Sequence, residues 1–295
     1  MMRRTALALA AIVASCTAAV AAAAPKGAAG LSPNQRALQQ AIQKTATVTS
    51  GHFSFASSTS GGTNGNVATS GSGGFDTKHQ TASLSLDLGV LAAALGGASG
   101  GVSIPRALDV VVAKNTVYVH LPTVAGQIQR GAQWLRFDSK SLPSSVTRTV
   151  NPGALSSVDP QKALAQLTSS VAVHRIATST VRGSSTTHYR FTVDAAKLVS
   201  LLPKSQQSTE AKALKQLNVK TVNVDVYVDG PGYVRRVSTA ISKLVLQPAS
   251  RGVAFKLTFD LYDFGAHVKV TVPPASKTAD GGKLLQSLVP GGTGG

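Results

Sequence analysis

Few side chains in this sequence have the type and spacing that chemistry needs, and Cys16 is the first of them. It is the only cysteine in 295 residues, and it ends the small-residue stretch Val13-Ala14-Ser15-Cys16 behind a short apolar run. This order is typical of a site at which a thiol receives a diacylglyceryl group before cleavage in front of it. Cys16 is therefore the candidate lipidation site.

The chemistry of an enzyme is hard to place in the remaining residues. The six histidines are isolated, form no pair at metal-binding spacing, and are expected to be exposed on strands. Motifs of a phosphate loop or a zinc-binding helix do not occur. The sequence therefore predicts no catalytic residue, no metal ligand and no cofactor.

Most of the acidic residues have a structural explanation. Helix caps or turns account for Asp159, Asp194, Asp229 and Asp280. Asp260 and Asp263 are expected to face solvent or to end a strand, as aspartate usually does. Carboxylates can converge from distant strands, so a hydrolase with an unrecognised site is the least favoured alternative.

The N-terminal segment predicts export. Arg3 and Arg4 precede the apolar run, as in the positively charged region of a signal peptide. A lipoprotein-type signal would comprise residues 1–15, whereas an ordinary secretory signal would comprise residues 1–23. The protein is thus expected in the cell envelope, lipid-anchored at the outer face of the cytoplasmic membrane, or secreted.

The net charge is strongly positive but dispersed. The formal charge of +17 becomes +15 when Arg3 and Arg4 leave with the signal. No basic cluster is interleaved with aromatic residues, as a nucleic-acid platform would need, so nucleic acid is not an expected partner. Arg235 and Arg236, an adjacent pair, could hold a phosphate or carboxylate, or could keep a sheet edge soluble.

The pattern of apolar residues predicts strands. Hydrophobic residues make up 43% of the chain and aromatic residues 5%, a composition that favours strands over long helices. Alternation predicts strands at residues 82–88, 109–121 (as a hairpin), 222–228, 253–261 and 268–272. A run of Gly, Ser, Thr and Asn predicts a loop at residues 58–74. The spacing is that of an antiparallel sheet, not of βαβ units.

The helices are expected to be short. A capped helix begins at Ser32-Pro33, with Leu38 and Ile42 on its apolar side. Further helices are predicted from Asp159-Pro160 and at residues 194–202 and 208–217.

Several segments follow one another in a characteristic order. They are Asn115-Thr116-Val117-Tyr118-Val119, Trp134-Leu135-Arg136-Phe137-Asp138, Asp159-Pro160, the stretch from Val181-Arg182-Gly183 to His188-Tyr189-Arg190, and Val226-Tyr227-Val228-Asp229 with Gly232 and Arg235-Arg236. In this order they resemble the actinobacterial envelope lipoproteins of the LppX/LprAFG type and their LolA-like relatives. The resemblance covers residues 33–288.

The resemblance implies an α+β fold in which short helices cover the concave face of a strongly curved antiparallel sheet, the LolA-like half-barrel. It also implies a non-enzymatic protein that binds an amphipathic lipid or acyl chains between sheet and helices, for transport or presentation in the cell envelope. Candidates for the cavity lining are Leu84, Leu86, Leu88, Val224, Val226, Phe255, Leu257, Phe259 and Leu261. Arg235 and Arg236 are the headgroup candidates at a basic rim.

The pattern alone leaves open whether these side chains enclose a cavity or meet the helices in a filled core. A filled core would favour a cell-surface or cell-wall interaction protein. The expected organisation is a flexible tether over residues 16–31, a single lipid-binding domain over residues 32–289 and a Gly-rich tail over residues 290–295. The protein is expected to be a monomer held at the membrane by its lipid, and its protein partner stays open.

Overall fold

The computed structural model describes most of the chain after its first 29 residues. The described residues are 30–61, 67–89, 105–138, 171–200, 207–208, 211–212, 214–215, 217–244 and 253–282. Cys16 and the helix predicted from Asp159-Pro160 lie outside them.

The chain divides into two compact units. The first unit comprises residues 1–48, 55–68 and 155–262, and the second comprises residues 49–54, 69–154 and 263–295. Across the described ranges, no helix has the length and apolar character needed to cross a membrane. The predicted domain over residues 32–289 and its flanking segments stay predictions.

Strands dominate the described residues, and helices are few. The helices are α1 (Pro33–Ala46), α2 (Pro122–Ile128) and α3 (Ala195–Ser200), with a 3-10 turn at Ala275–Lys277; residues 207–208, 211–212 and 214–215 are also helical. The strands are β1 (Ser50–Ser60), β2 (Val67–Asp76), β3 (Thr81–Asp87), β4 (Ala107–Ala113), β5 (Thr116–His120), β6 (Trp134–Asp138), β7 (His174–Val181), β8 (Ser184–Asp194), β9 (Thr221–Asp229), β10 (Val234–Leu244), β11 (Val253–Tyr262) and β12 (Thr278–Asp280).

The pairing of the strands is mainly antiparallel. The consecutive pairs from β2 to β6 and from β7 to β11 are antiparallel, and β12 pairs with β6 in parallel. The predicted antiparallel fold with few, short helices is confirmed to this extent.

In the first unit, the strand order is β7–β8–β9–β10–β11, followed by the C-terminal half of β1. The register pairs Phe191 with Val224, and Val226 with Val237. Because directly paired residues point to the same side of a sheet, these side chains share one face. Phe191 is 1% exposed and Val226 is 2% exposed, so this face is the core of the unit.

Helix α1 packs on that core and is fixed at both ends. Ser32 caps it, with its Oγ accepting a hydrogen bond from the Gln35 N–H at 3.3 Å. Leu38 and Ile42 belong to the same hydrophobic cluster as the sheet residues. At the far end, the Val234 N–H donates to the Thr45 Oγ1 at 2.8 Å. The hydroxyl therefore satisfies a buried backbone donor of β10 and ties the helix to the sheet.

In the second unit, the N-terminal half of β1 is followed by β2, β3, β4, β5, β6 and β12. A small core joins α2 to β6 and β12, because Ala125, Leu135 and Ala279 are each at most 1% exposed and belong to one cluster. The sequence did not predict α2. The signal for it is Pro122, which occupies the first helical turn, where proline is well tolerated.

The loop predicted at residues 58–74 is wrong for its described part. Strand β1 runs to Ser60, and β2 begins at Val67. At Gly73, a Cβ atom would stand 1.9 Å from the Ser83 carbonyl oxygen and 2.7 Å from the Phe53 ring. Glycine therefore permits a close approach within the sheet here, and it does not mark a loop.

The strand predicted at residues 268–272 is also wrong. Residues 266–274 form no regular secondary structure, although Val268 is only 8% exposed. Val272 is 42% exposed, so the alternating valines do not share a buried face. The chain forms its last described strand, β12, a few residues later.

Substitution of Gly73 tests the close approach of the strands. Gly73→Ala is expected to lower the free energy of unfolding by about 2 kcal/mol or more, because the backbone must move to admit a Cβ atom. Equilibrium urea unfolding measures the change. Gly230→Ala is the matched control, since a Cβ atom there would meet nothing within 4 Å. An equal effect of both substitutions would contradict the expectation.

In the turn between β2 and β3, Asp76 and His79 form a contact whose contribution to stability depends on pH. The His79 N–H donates to Asp76 Oδ1 at 3.1 Å, and the His79 ring lies 2.7 Å from Asp76 Oδ2. The hydrogen bond from the His79 side chain is the main cause that lowers the pKa of Asp76 below its ordinary value. The folded state therefore favours the ionised carboxylate.

Asp76→Asn is expected to remove a contribution to stability that depends on pH. A carboxyl group whose pKa is lower in the folded state stabilises the fold fully above the ordinary aspartate pKa of about 3.9. The difference between wild type and variant should shrink as the pH falls below that value, and vanish once it passes the lowered pKa. Urea unfolding across this pH range measures it, and a difference that does not change with pH would contradict it.

Candidate functional site

The second unit carries a continuous apolar strip on one face of its sheet. The register pairs Leu84 with Val110, Val110 with Val119, and Val119 with Leu135. The neighbouring rows follow the same alternation, because side chains two residues apart lie on one face. We call the following set the β3–β5 apolar face: Leu84, Leu86, Leu108, Val110, Val112, Val117 and Val119.

The burial of this face changes along the sheet. On β6, Leu135 is 1% exposed because it packs in the core with α2. Every member of the β3–β5 apolar face is only half-buried. None of them belongs to either hydrophobic cluster of the described residues. A half-buried apolar strip outside both clusters is a candidate site for an apolar partner.

The predicted lining residues fall into two groups. Leu84 and Leu86 lie on the β3–β5 apolar face, and Leu88 follows β3, half-buried, with its N–H donating to the Arg106 carbonyl at 2.7 Å. The other six candidates lie in the first unit. The pattern did not single out Leu108, Val110, Val112, Val117 and Val119, although their alternation in the predicted hairpin was the available signal.

The six candidates of the first unit lie on its core face. Val224 and Val226 are 5% and 2% exposed and belong to the cluster that includes α1. Phe255 and Leu261 pack against this cluster, Leu257 is buried, and Phe259 is half-buried. Val224 and Val226 therefore have protein neighbours, and the role of the six in lining a cavity stays a prediction.

The opposite face of the same sheet carries a buried carboxylate, Asp225. It is 8% exposed and accepts hydrogen bonds from His188 Nε2 at 2.6 Å and from Arg190 Nε at 2.7 Å. The His188 ring stacks on the Tyr227 ring, with centroids 4.4 Å apart. The expectation that every histidine is exposed is wrong for His188, which is 9% exposed, because the ring lies between Asp225 and Tyr227.

A second buried carboxylate, Asp260, lies nearby on this face. Arg236 donates to it twice, from Nε at 2.6 Å and from Nη2 at 2.8 Å. Arg182 adds a hydrogen bond from Nε at 3.1 Å. The expectation that Asp260 faces solvent is wrong, since it is 5% exposed. The arginine side chains supply both the cover and the opposite charge that a buried carboxylate needs.

These contacts change the acidity of three groups. The hydrogen bond to Asp225 raises the pKa of Arg190, and the hydrogen bond to Asp260 raises the pKa of Arg236. Burial, with the charge of Asp225, raises the pKa of Tyr227, although Arg236 and Arg190 oppose that shift. All three shifts favour the states that these groups already have at neutral pH, the arginine cations and the protonated Tyr227 hydroxyl.

The headgroup candidates are both engaged in ion pairs. Arg235 binds Asp229 through Nε at 2.5 Å, and Arg236 binds Asp260. Asp229 also accepts a hydrogen bond from the Tyr233 N–H at 2.7 Å, so it organises the β9–β10 turn. A headgroup role for Arg235 and Arg236 stays a prediction.

The described residues do not bring together any group of three or more His, Cys, Asp or Glu side chains that could hold a metal ion. Outside the Asp225 network, contacts that join one described histidine to one carboxylate include His52 with Asp263 at 3.3 Å and His120 with Asp109 at 3.9 Å.

Comparison with known proteins finds no matching family model and no matching curated protein. The chain is similar to the crystal structure of the lipoprotein LppX from Mycobacterium tuberculosis, at 16% identity and a TM-score of 0.44, over 81% of this chain and 98% of that one. LprF from Mycobacterium bovis follows at 14% identity and a TM-score of 0.42, over 82% and 97%. A LolA superfamily protein from Nitrosomonas europaea has 10% identity and a TM-score of 0.25, over 82% and 96%. These solved structures are of the LppX/LprF and LolA types that the sequence resembles.

Proposed function

We propose that this protein binds the acyl chains of an amphipathic lipid on the β3–β5 apolar face and carries or presents that lipid in the cell envelope. The observation that supports the proposal most directly is the row of half-buried aliphatic side chains on neighbouring strands. Leu84, Leu86 and Leu88 have the leading role among the predicted lining residues, because Val224 and Val226 already pack against protein.

The mechanism is the removal of hydrocarbon from water. Each methylene that an acyl chain buries against the apolar face contributes about 0.8 kcal/mol. No bond forms or breaks, so binding requires neither a catalytic residue nor a cofactor. The finer features of the fold that the resemblance implies, a curved half-barrel with helices over its concave face, belong to the same proposal.

The proposal includes anchoring and export. Cys16 would carry the lipid anchor, and the chain up to residue 31 would act as the tether at the outer face of the cytoplasmic membrane. Cleavage after residue 23 and secretion of the unanchored protein is the alternative.

A second candidate function is that of a surface interaction protein with a filled core. The core of the first unit favours it, because α1 packs on the same face as Val224 and Val226. Lipid that co-purifies with the protein separates the two functions, since a surface interaction protein would be purified without it.

Leu84→Asp tests the apolar face. The charge should prevent hydrocarbon from lying over β3, and losing the contact of one leucine side chain, about 1.5–3 kcal/mol, corresponds to a loss of affinity of tenfold or more. Native mass spectrometry of protein purified from its own host should show lipid on the wild type and much less on the variant.

Ser85→Asp is the matched control for Leu84→Asp. It places the same charge one residue further along β3, at an exposed position on the other face of the strand. The control should retain its lipid. Wild-type protein without bound lipid, or equal loss from both variants, would contradict the proposed function.

Cys16→Ser tests the anchor. Without its thiol, the chain cannot form the thioether to a diacylglyceryl group, so the protein should leave the membrane fraction and appear in the soluble fraction or the medium. Fractionation and intact-mass measurement of the wild type and the variant give the result. An unchanged distribution, with no lipid mass on the wild type, would favour simple secretion.

A further inference from the structure

The face of the first unit opposite its core holds a set of cations that the acyl-binding proposal does not use. Arg190 and Arg236 lie on neighbouring rows of this face, separated by Tyr227: Arg190 pairs with Asp225 across β8 and β9, and Tyr227 pairs with Arg236 across β9 and β10. These three residues form the Arg190–Tyr227–Arg236 surface.

Two buried carboxylates hold the two guanidinium groups in place. Arg190 uses its Nε to bind Asp225, and within the described part of the chain this is its one side-chain hydrogen bond. Arg236 uses Nε and Nη2 to bind Asp260. The buried carboxylates therefore fix the orientation of both groups, which reduces the entropy that either would lose on binding a ligand.

Both side chains remain partly exposed to solvent. The side chain of Arg190 is 48% exposed and that of Arg236 is 32% exposed. The Nη atoms of Arg190 and the Nη1 atom of Arg236 have no hydrogen-bond partner among the described residues. A guanidinium group that is bound on one side and open on the other can still donate to a second anion.

Tyr227 adds a neutral donor between the two cations. Its ring stacks on His188, and the ring centroid lies 6.0 Å from Cζ of Arg236. Its hydroxyl has no hydrogen-bond partner in the described residues. A tyrosine hydroxyl keeps its proton at neutral pH, so this one can donate a hydrogen bond to a ligand oxygen.

We propose that the Arg190–Tyr227–Arg236 surface binds the phosphate group of an anionic ligand. Phosphate oxygens accept several hydrogen bonds at once and match the planar fork of arginine. The ligand can be free inorganic phosphate or the phosphate of a lipid headgroup, since both present the same oxygens. This site goes beyond the acyl-binding proposal and involves a different unit of the chain.

The charge balance favours a single anionic group over an extended acidic partner. Three arginines, Arg182, Arg190 and Arg236, surround two aspartates, Asp225 and Asp260. These five side chains together carry a surplus of one positive charge. A surplus of this size suits one phosphate group, and hydrogen-bond geometry has to supply the remaining selectivity.

Calorimetric titration of the full chain with inorganic phosphate, in the Cys16→Ser background, tests the site. Wild-type binding should be saturable. Arg190→Gln and Tyr227→Phe should each weaken it by about tenfold, the effect of losing one hydrogen bond to a charged group. Tyr227→Phe retains every ion pair of the cluster and the stack with His188, so it reports on binding even if Arg190→Gln disturbs the fold.

Arg175→Gln is the matched control. Arg175 is exposed on β7 of the same unit and pairs with Tyr189 of the core face, so the substitution removes one positive charge on the other side of the sheet. Phosphate binding should not change in this variant. An equal loss in Arg175→Gln and Arg190→Gln would show that only the overall charge matters, and would overturn the proposal.

Vesicles of phosphatidylglycerol distinguish the two sources of phosphate. If inorganic phosphate binds and the site variants weaken it, free phosphate is sufficient. If only vesicles bind, and the same variants weaken that binding while Arg175→Gln does not, the source is a lipid headgroup. Binding of neither probe would overturn the proposal. Leu84→Asp should leave phosphate binding unchanged, so failure of this site and failure of the acyl site are distinguishable.

Discussion

The register of the antiparallel strands is the constraint on which the other features depend. Because side chains alternate between the two faces of a strand, a shift by one residue would exchange the faces completely. The pairing of Phe191 with Val224 and of Arg190 with Asp225 places the core on one side of the first unit and the ion pairs on the other. In the second unit, the pairing of Leu84 with Val110 joins separate strands into one apolar face.

On the polar face of the first unit, the strand register buries two carboxylates, Asp225 and Asp260. An isolated carboxylate would lose several kcal/mol on leaving water, so each needs cations in contact. Strand neighbours supply them, since β8 carries Arg190 beside Asp225 and β10 carries Arg236 beside Asp260. Stabilisation of the sheet and orientation of the arginines are therefore two results of the same hydrogen bonds.

The sequence predicted those parts of the fold that depend on local pattern. Alternation gave the strands around Leu84, Val224 and Leu257, and a Ser-Pro cap gave the start of α1. Local pattern could not predict contacts between strands. The Ser83 and Phe53 atoms lie so close to Gly73 that a strand residue must be a glycine there, and no local signal reveals this. The parallel pairing of β12 with β6 and the burial of Asp260 depend on distant residues in the same way.

The same limit applies to the candidate sites. Leu84 and Leu86 were identifiable from their spacing, whereas the rest of the β3–β5 apolar face became recognisable only once the register joined β3 to β4 and β5. His188 and Arg190 lie on one strand and Asp225 and Tyr227 on the next, and the hydrogen-bonded pairs are 37 and 35 positions apart in sequence. The local signal was the alternation of polar and apolar residues on β9. It could not indicate a buried ion-pair network, because a strand face exposed to solvent has the same pattern.

Helix length is one difference between the two apolar faces within the described residues. At about 1.5 Å per residue, the 14 residues of α1 extend about 21 Å, enough to cross four strands that are about 4.8 Å apart. The 7 residues of α2 extend only about 10 Å, which covers β6 and β12 but not three further strands. Among the described residues, neither hydrophobic cluster that contains a helix includes the β3–β5 apolar face, and an apolar ligand is what such a surface can accept.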